Sequence, residues 1–329
     1  MTSETGGAVG PSGPAAPPDE VWLADWSDGE DADFRWAWAR AGLSVSVMRS
    51  SPMGATVGRP WHRLRSWPAY AHLAFRSRSA TSPVIAWQPI AGAMAALAGR
   101  ATTLTMLNPL FTVGSRSLGQ LGLRAGAART GSVVMFSRRA VDAAVAVGVP
   151  ASRLHFLPLG VRARPAGEPG TYFLALGRDG RDWRVLTEAT AGTGLDVRAI
   201  GPHPAQRLGE VTVLPATDRA GVRRCIEGAA AVVVPLLRPD RTAGQLAVLD
   251  AFASGRGVIA TRAQGTEDYV SHDNGILVPV GDATALRRAL LDVGDPPRAA
   301  ELGAGARRST AGPLALERFV RDVHGVAAR

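Results

Sequence analysis

Apolar runs and polar turns succeed one another along the chain in a pattern that predicts alternating strands and helices. Residues 21–24 form a short apolar run that predicts a strand, and a helix is predicted to end near Ala41 because Gly42 follows it. Residues 43–48 alternate and predict the next strand. Strand, helix and strand in this order are the unit of a parallel sheet.

The same alternation continues through the chain and is interrupted once. Further strands are predicted at residues 83–86, 101–106, 131–136 and 154–157, then at 172–176, 196–200, 211–214, 230–236 and 257–261. Helices are predicted at residues 91–97, 137–147, 183–191, 221–229 and 245–253, with Ser137 as an N-terminal cap. Strands that alternate with helices on this scale predict doubly wound parallel sheets.

A proline- and glycine-rich stretch divides the chain into two α/β units. It contains Pro165, Gly167, Pro169 and Gly170, a composition typical of a linker. We therefore expect a first domain at residues 20–160, a linker at 161–170 and a second domain at 171–305. Two domains also suit the length of 329 residues and the hydrophobic fraction of 46%.

Composition adds information on compartment. The first 19 residues are rich in Gly, Pro, Ser and Ala, which predicts a disordered tail and not a secretory signal. The single cysteine, Cys225, rules out an internal disulfide and suits a reducing compartment. No apolar run reaches the length of about 20 residues that spans a bilayer. We therefore expect a cytoplasmic protein.

The net charge is +9, and every basic residue is an arginine. Such a balance is typical of a protein with an anionic partner, for example a nucleotide diphosphate, an acidic lipid surface or a nucleic acid. A genome rich in G and C produces the same bias. Because no nucleic-acid-binding motif accompanies the charge, we expect no nucleic-acid partner.

Three polar clusters lie where a predicted strand gives way to a helix in the second unit. Residues 177–182 read GRDGRD, with glycines for a sharp turn and two forked donors, Arg178 and Arg181, suited to phosphate oxygens. A helix N-terminus beside them is a natural anion site. The alternative is a solvated turn in which the arginines pair with neighbouring aspartates.

The second cluster is residues 242–255, in which a polar loop leads into a helix with one acid. Asp250 lies between apolar residues, where a carboxylate is costly unless it is hydrogen-bonded, and paired ribose hydroxyls are suitable partners. The alternative pairs Asp250 with a nearby arginine such as Arg256. In the third cluster, residues 261–270, Gly265 permits close backbone approach ahead of a predicted short helix, and Thr266 and Glu267 offer polar contacts. A capped loop is the alternative there.

Together these clusters resemble the retaining glycosyltransferases of family 4, which have the GT-B fold. The stretch ASGRGVIATRAQGTEDYV resembles the family's strand and glycine-containing loop, and residues 137–161 resemble its exit from the first domain. The resemblance implies two Rossmann-like, doubly wound parallel-sheet domains that face each other across a cleft. It also implies that the last helix, within residues 306–329, packs back on the first domain.

The resemblance implies a role for each matching position. Arg178 and Arg181 match the basic pair that neutralises the donor diphosphate, and Asp250 matches the acid that holds the ribose. Gly244, Gln245 and Leu246 match the loop and helix start near the phosphates, and Gly265 lies in the glycine-containing loop. The backbone at Leu214 matches the place where the base is read. The donor is then a nucleotide diphosphate sugar, with no metal and no other cofactor.

Two family positions are occupied by other residues. The first acid of the acid-x7-acid motif falls on Thr242, and the histidine of the first domain falls on Leu107 in the stretch TMLN. Asp28 sits where the first β-α loop faces donor and acceptor, so Asp28 and Thr242 are the candidate catalytic positions. The six histidines show no metal-ligand spacing.

The resemblance thus implies a hexosyltransferase acting with retention on a polysaccharide, lipid-linked or natural-product acceptor. Residues 60–78 mix aromatic residues with arginines and suit contact with the inner face of a membrane, or a helix packed on the sheet. A second hypothesis is an inactive homologue that binds a partner glycosyltransferase. A third hypothesis is a nucleotide-sugar epimerase of the same fold. It ranks last because such an enzyme needs paired acids and a histidine in its cleft, and the sequence shows no such set.

Overall fold

The structure is a computed structural model that describes most of the chain. The described residues are 18–24, 28–49, 61–100, 103–111, 115–177, 180–201, 207–215, 217–240 and 242–329. The side chains of residues 28–29, 61–67, 69, 100 and 207 also lie outside the description. The disordered tail predicted for the first residues therefore falls almost wholly outside the described residues.

Six parallel strands form the first sheet, in the order β2-β1-β3-β4-β5-β6. These strands are β1 (Glu20–Leu23), β2 (Val45–Met48), β3 (Val84–Ala86), β4 (Leu104–Leu107), β5 (Ser132–Met135) and β6 (Leu154–Phe156). The helices between them are α1 (Asp28–Ala41), α2 (Trp61–Arg76), α3 (Pro89–Ala95), α4 (Leu118–Ala127) and α5 (Arg138–Ala146).

Helices cover both faces of this sheet. Right-handed crossovers place α1 on one face, because the chain moves outward from β1 to β2, and place α2 to α5 on the other face. The packing agrees, since Trp22 of β1 meets Trp38 of α1 with ring centroids 5.3 Å apart. On the opposite face, Leu23 and Val84 share a buried cluster with Leu73 of α2.

The second sheet has seven strands in the order β13-β12-β11-β7-β8-β10-β9. Its strands are β7 (Tyr172–Leu176), β8 (Val197–Ile200), β9 (Arg207–Leu208), β10 (Val211–Val213), β11 (Ala229–Val234), β12 (Gly257–Thr261) and β13 (Gly275–Val278). Its helices are α6 (Trp183–Thr190), α7 (Arg219–Glu227), α8 (Gln245–Ala253), α9 (Ala283–Val293) and α10 (Pro296–Ala311). The strands are parallel except the short edge pair β9–β10.

The last helix, α11 (Leu316–Ala327), leaves the second unit and lies against α1, β4 and β5 of the first. Phe319 of α11 meets Phe136 with ring centroids 5.6 Å apart. His324 Nδ1 lies 2.7 Å from Oε1 of Glu20, whose other oxygen accepts a hydrogen bond from Trp22. Burial raises the pKa of the Glu20 carboxyl, and its hydrogen bonds with Trp22 and His324 counteract that effect.

Two local expectations change in the structure. Helix α4 has no counterpart in the sequence prediction, because three of its ten residues are glycines, which disfavour a helix. Ser137 occupies the N-cap position of α5, but its hydroxyl makes no capping hydrogen bond. The Arg138 amide in the first turn instead donates to the carboxylate of Asp268, 2.8 Å away in the second domain. The first turn of α5 is therefore capped by a residue of the second domain and not by a neighbour in sequence.

Candidate functional site

The predicted donor-binding residues follow the carboxyl ends of strands in the second sheet. Arg181 follows β7, Leu214 follows β10, Gly244 follows β11 and Gly265 follows β12. Strands β12, β11 and β7 are direct neighbours, and β10 is two strands further along. In doubly wound sheets ligands bind at this edge, where loops and helix N-termini converge.

The Arg181 side chain packs against the end of β7 and the glycine that follows it. Its Nε donates to the carbonyl of Leu176 at 2.8 Å, and its backbone forms a bridge with Leu236. Gly177 has φ +137°, and a Cβ at this position would overlap the Arg181 guanidinium. Both the positive φ and the nearby guanidinium therefore require a glycine at position 177. Arg178, the other member of the predicted basic pair, lies outside the described residues.

The loop before α8 presents a helix N-terminus to the same edge. Gly244 is the N-cap with φ +86°, and Leu246 in the first turn is 63% exposed. The first amides of a helix have no acceptor within the helix and can bind an anion. Gln245 is buried, and its Nε2 donates to the Phe136 carbonyl at 3.2 Å. Its side chain therefore contacts the first domain.

Asp250 lies one and a half turns further along α8 and is half buried. Burial raises the pKa of its carboxyl, and the nearby charges of Arg219, Arg164 and Arg223 only oppose this effect. No described group forms a hydrogen bond or ion pair with this carboxylate. A ligand whose hydroxyl groups donate hydrogen bonds to this carboxylate would offset the cost of its burial.

The alternative pairing of Asp250 with Arg256 is wrong. Arg256 is 1% exposed, and its guanidinium donates to backbone carbonyls, at 2.8 Å to Gly167 and 3.0 Å to Glu168. A further bond reaches the carbonyl of Glu227. Arg256 thus fastens the linker to the second domain, and among the described residues no arginine forms an ion pair with Asp250.

The loop after β12 contacts protein and not open space. A Cβ on Gly265 would overlap the backbone of Ala243, so the close approach predicted there is to the neighbouring loop. The Thr266 hydroxyl is fully buried and donates to the Thr261 carbonyl at 2.6 Å. Residues 264–269 form turns in place of the expected short helix. Gly265 and Thr266 thus make contacts within the protein, and a role for Gly265 in donor binding stays a prediction.

This loop also joins the two domains. Glu267 forms an ion pair with Arg139 at 2.7 Å, and Asp268 forms one with Arg138 at 3.4 Å. The Tyr269 hydroxyl donates to the Phe136 carbonyl at 2.9 Å and accepts from the Leu159 amide at 3.0 Å. Sequence reasoning did not assign Tyr269 a role, because its partners are backbone atoms more than 100 positions away.

Of the two candidate catalytic positions, one is described in full. The Thr242 hydroxyl accepts a hydrogen bond from Gln264 Nε2 at 2.8 Å. Asp28 begins α1, and its side chain lies outside the description. Leu107, where the family has histidine, is 1% exposed in the core, and Asn108 after it accepts from the Phe136 amide at 3.3 Å.

A cavity of about 570 Å³ lies between the two domains beside Thr242. Its first-domain wall is apolar and its second-domain wall is polar. The first wall comprises Pro109, Leu110, Phe111, Met135, Ala140 and Ala143, and the second comprises Arg238, Asp240, Thr242 and Gln264. The cavity therefore lies between the carboxyl ends of β4 and β5 on one side and of β11 and β12 on the other.

No described helix has both the length and the apolar character needed to cross a bilayer. Within the same residues, His, Cys, Asp and Glu do not gather in groups of three or more that could hold a metal ion.

Two parallel-sheet domains facing each other across a cleft are the GT-B fold, and solved structures with this fold match nearly the whole chain. Sucrose-phosphate synthase from Thermosynechococcus elongatus matches with a TM-score of 0.69 and 17% identity over 94% of this chain and 98% of that one. HepE of Anabaena, solved with UDP, matches with a TM-score of 0.66 and 14% identity over 94% and 99%.

A galactosyltransferase of the lipopolysaccharide outer core, WaaB, matches with a TM-score of 0.64 and 12% identity over 92% of this chain and 98% of that one. Residues 186–295 match the family model described as "Glycosyl transferases group 1". No curated protein matches the sequence significantly. The matched family segment contains Leu214, Thr242, Asp250 and Gly265, and Arg181 lies just before it.

Proposed function

We propose that the protein is a glycosyltransferase that binds a nucleotide diphosphate sugar on the second domain. The observation that carries the proposal is Asp250, a half-buried carboxylate without a described partner, on a helix whose N-terminus faces the strand edge where ligands bind. The family match over residues 186–295 supports it, as does the similarity in fold to HepE, which was solved with UDP and with UDP-glucose.

The proposed binding mode follows from charge and hydrogen bonding. Arg178, Arg181 and the first amides of α8 hold the diphosphate, Asp250 accepts from the ribose hydroxyls, and backbone groups at Leu214 contact the base. Charge that develops on the leaving diphosphate is stabilised by these donors, so no metal is required. The hexosyl group passes with retention to a polysaccharide, lipid-linked or natural-product acceptor in the cleft, near Thr242 and Asp28.

The first test is nucleotide binding by the full chain. Thermal-shift and calorimetric titrations with UDP, GDP, ADP and dTDP should show one preferred nucleotide, because ligand binding raises apparent stability by mass action. Slow hydrolysis of the corresponding sugar nucleotide would identify the donor. The double variant Arg178→Ala/Arg181→Ala should lose this shift, whereas Arg184→Ala/Arg224→Ala, with two exposed arginines of the same domain, should keep it. Equal nucleotide affinity in both variants would contradict the assignment.

A second candidate function is that of an inactive homologue that binds and regulates another glycosyltransferase. Leu107 favours it, because this side chain is buried in the core where the related enzymes carry a histidine. Thr242 favours it too, because the position lacks an acid. Nucleotide binding without turnover, together with a stable complex with an active transferase, would support this candidate. Turnover by the purified chain alone would exclude it.

We also propose a cytoplasmic location, with the two sheets marking domains at residues 20–160 and 171–305. Membrane contact through residues 60–78 stays a prediction. The segment is largely α2, and the side chains of residues 61–67 lie outside the description.

A further inference from the structure

The positive charge of the chain is concentrated in one stretch of the first domain. Residues 34–141 contain 14 arginines and neither aspartate nor glutamate. The other 23 arginines stand against all 28 acidic residues, so the rest of the chain has a net charge of −5. A bias in codon usage raises arginine everywhere, but it does not remove acids from 108 consecutive residues while leaving them elsewhere.

Exposed apolar side chains gather in the same stretch. Leu118 and Leu121 of α4 are 85% and 46% exposed, Phe75 of α2 is 67% exposed, and Leu97, just after α3, is 50% exposed. Residues 118 and 121 are three apart and so share one side of α4. Single exposed apolar residues are ordinary, but a group of them on neighbouring elements marks an interaction surface.

These side chains lie on one layer of helices. Helices α2 and α3 are in contact, as are α3 and α4, and all three cover the same face of the first sheet. Their exposed side chains therefore point away from the sheet on a common side, which we call the α2–α4 face. Arg76, Arg116 and Arg129 are exposed on this layer, and no described acid forms an ion pair with them.

The α2–α4 face continues to the cavity between the domains. Leu110 is 55% exposed and lines the apolar wall of that cavity. The same residue is joined to α4, because Gln120 Nε2 donates to its carbonyl at 3.1 Å. The α2–α4 face and the apolar wall of the cavity, which includes Phe111 and Met135, thus meet at Leu110.

We propose that the α2–α4 face docks on a lipid surface with anionic headgroups, and that the acceptor enters the cleft from that surface along Leu110. Leucine and phenylalanine insert at the boundary of headgroups and acyl chains, while arginines contact the lipid phosphates. Docking is independent of the proposed function, whereas the origin of the acceptor rests on it. The face overlaps the segment predicted at residues 60–78 only at its end, from Phe75 onward.

The test is vesicle binding by the full-length protein. Vesicles of phosphatidylcholine, with and without phosphatidylglycerol, are sedimented with wild type, with Leu118→Ser/Leu121→Ser and with Arg76→Gln/Arg116→Gln. The controls are Leu291→Ser, a leucine that is 52% exposed in the second domain, and the exposed Arg288→Gln on the same helix. Unfolding curves without lipid show that each variant is folded, and titrations with UDP, GDP, ADP and dTDP report donor binding separately.

We expect wild type to bind the anionic vesicles and to bind neutral ones more weakly. Both face variants should bind the anionic vesicles about tenfold more weakly, and both controls should bind like wild type. Absence of wild-type binding to anionic vesicles overturns the proposal. So does undiminished binding by the leucine variant, because a purely electrostatic surface would suit a nucleic acid equally. Absence of a response by wild type to all four nucleotides, UDP, GDP, ADP and dTDP, would count against the donor assignment and not against docking.

Discussion

The free-energy cost of burying the Asp250 carboxyl group depends on pH. Burial raises the pKa of its carboxyl above the value in the unfolded chain. As pH rises, the unfolded state therefore loses this proton first, and the stability contributed by the protonated group falls until the folded pKa is passed. Each unit of pKa elevation corresponds to about 1.4 kcal/mol. The carboxylate is thus expected to weaken the apo protein at neutral pH.

We predict that Asp250→Asn stabilises the apo protein at pH 7.5 and lowers nucleotide affinity about tenfold, because the amide needs less solvation but is a weaker acceptor for ribose hydroxyls. The gain in stability should vanish below about pH 3, where the carboxyl is protonated in the unfolded chain as well as in the folded protein. Denaturant unfolding at the two pH values and titration of the preferred nucleotide measure these effects. Asp142→Asn, at an exposed site on α5, should change neither.

Gly177 fixes the position of the Arg181 guanidinium. We predict that Gly177→Ala displaces Arg181, destabilises the protein by about 1–3 kcal/mol and abolishes most of the nucleotide affinity, because the new methyl group occupies the guanidinium's place and φ is +137°. Gly192→Ala is the control. Gly192 also has a positive φ, +69°, but nothing lies within 4 Å of its Cβ. Equal nucleotide affinity in the two variants would show that Arg181 does not bind the diphosphate.

Among whole elements, α11 at the end of the chain completes the hydrophobic core of the first domain. Its buried side chains are Leu316, Phe319, Val320, Val323 and Val326. Their spacing of three and four residues gives one apolar stripe, and this stripe meets α1 and the first sheet. The helix therefore belongs energetically to the first domain, although it follows the second in sequence.

We predict that Phe319→Ala lowers the free energy of unfolding by about 3–5 kcal/mol, since Phe319 is 2% exposed and meets Phe136 edge to face. Phe75→Ala is the matched variant, because the same side chain is lost from a position that is 67% exposed. In the absence of lipid it should change stability by less than about 0.5 kcal/mol. Denaturant unfolding compares the two, and similar losses would contradict the assigned packing.

In the whole molecule, hydrogen bonds and ion pairs join the two domains near Phe136. The Phe136 carbonyl accepts from both Tyr269 and Gln245. The Arg139 side chain of the nearby ion pair is 53% exposed, so that pair is expected to contribute less than about 1 kcal/mol. The buried Tyr269 hydroxyl, with one donor and one acceptor partner, is expected to contribute more.

We predict that Tyr269→Phe costs about 1–3 kcal/mol, because the buried Leu159 amide loses its acceptor. Hydrogen exchange of that amide should accelerate. Tyr172→Phe is the control, because the Tyr172 hydroxyl donates to the Cys225 carbonyl within the second domain. It should leave exchange at Leu159 unchanged. Protection of the Leu159 amide in both variants would show that Tyr269 does not hold the domains together.

The sequence alone determined the two α/β units, the linker composition and the loops that carry the candidate site. These features depend on local patterns. Buried strands such as β7, β11 and β12 are apolar runs, and glycines mark the turns after them, as at Gly177 and Gly265. Residues 172–176, 245–253 and 257–261 were predicted with the bounds that the structure gives.

Only the tertiary structure decided what those polar groups contact. Ser137 was expected to cap α5, but Asp268 lies close enough to accept from the Arg138 amide. Arg256 was an alternative partner for Asp250, but backbone carbonyls of the linker occupy its guanidinium. A hydrogen bond depends on distance and direction in space, and the partners that form these bonds are 88 to 130 residues apart in the chain. Local sequence patterns cannot specify them.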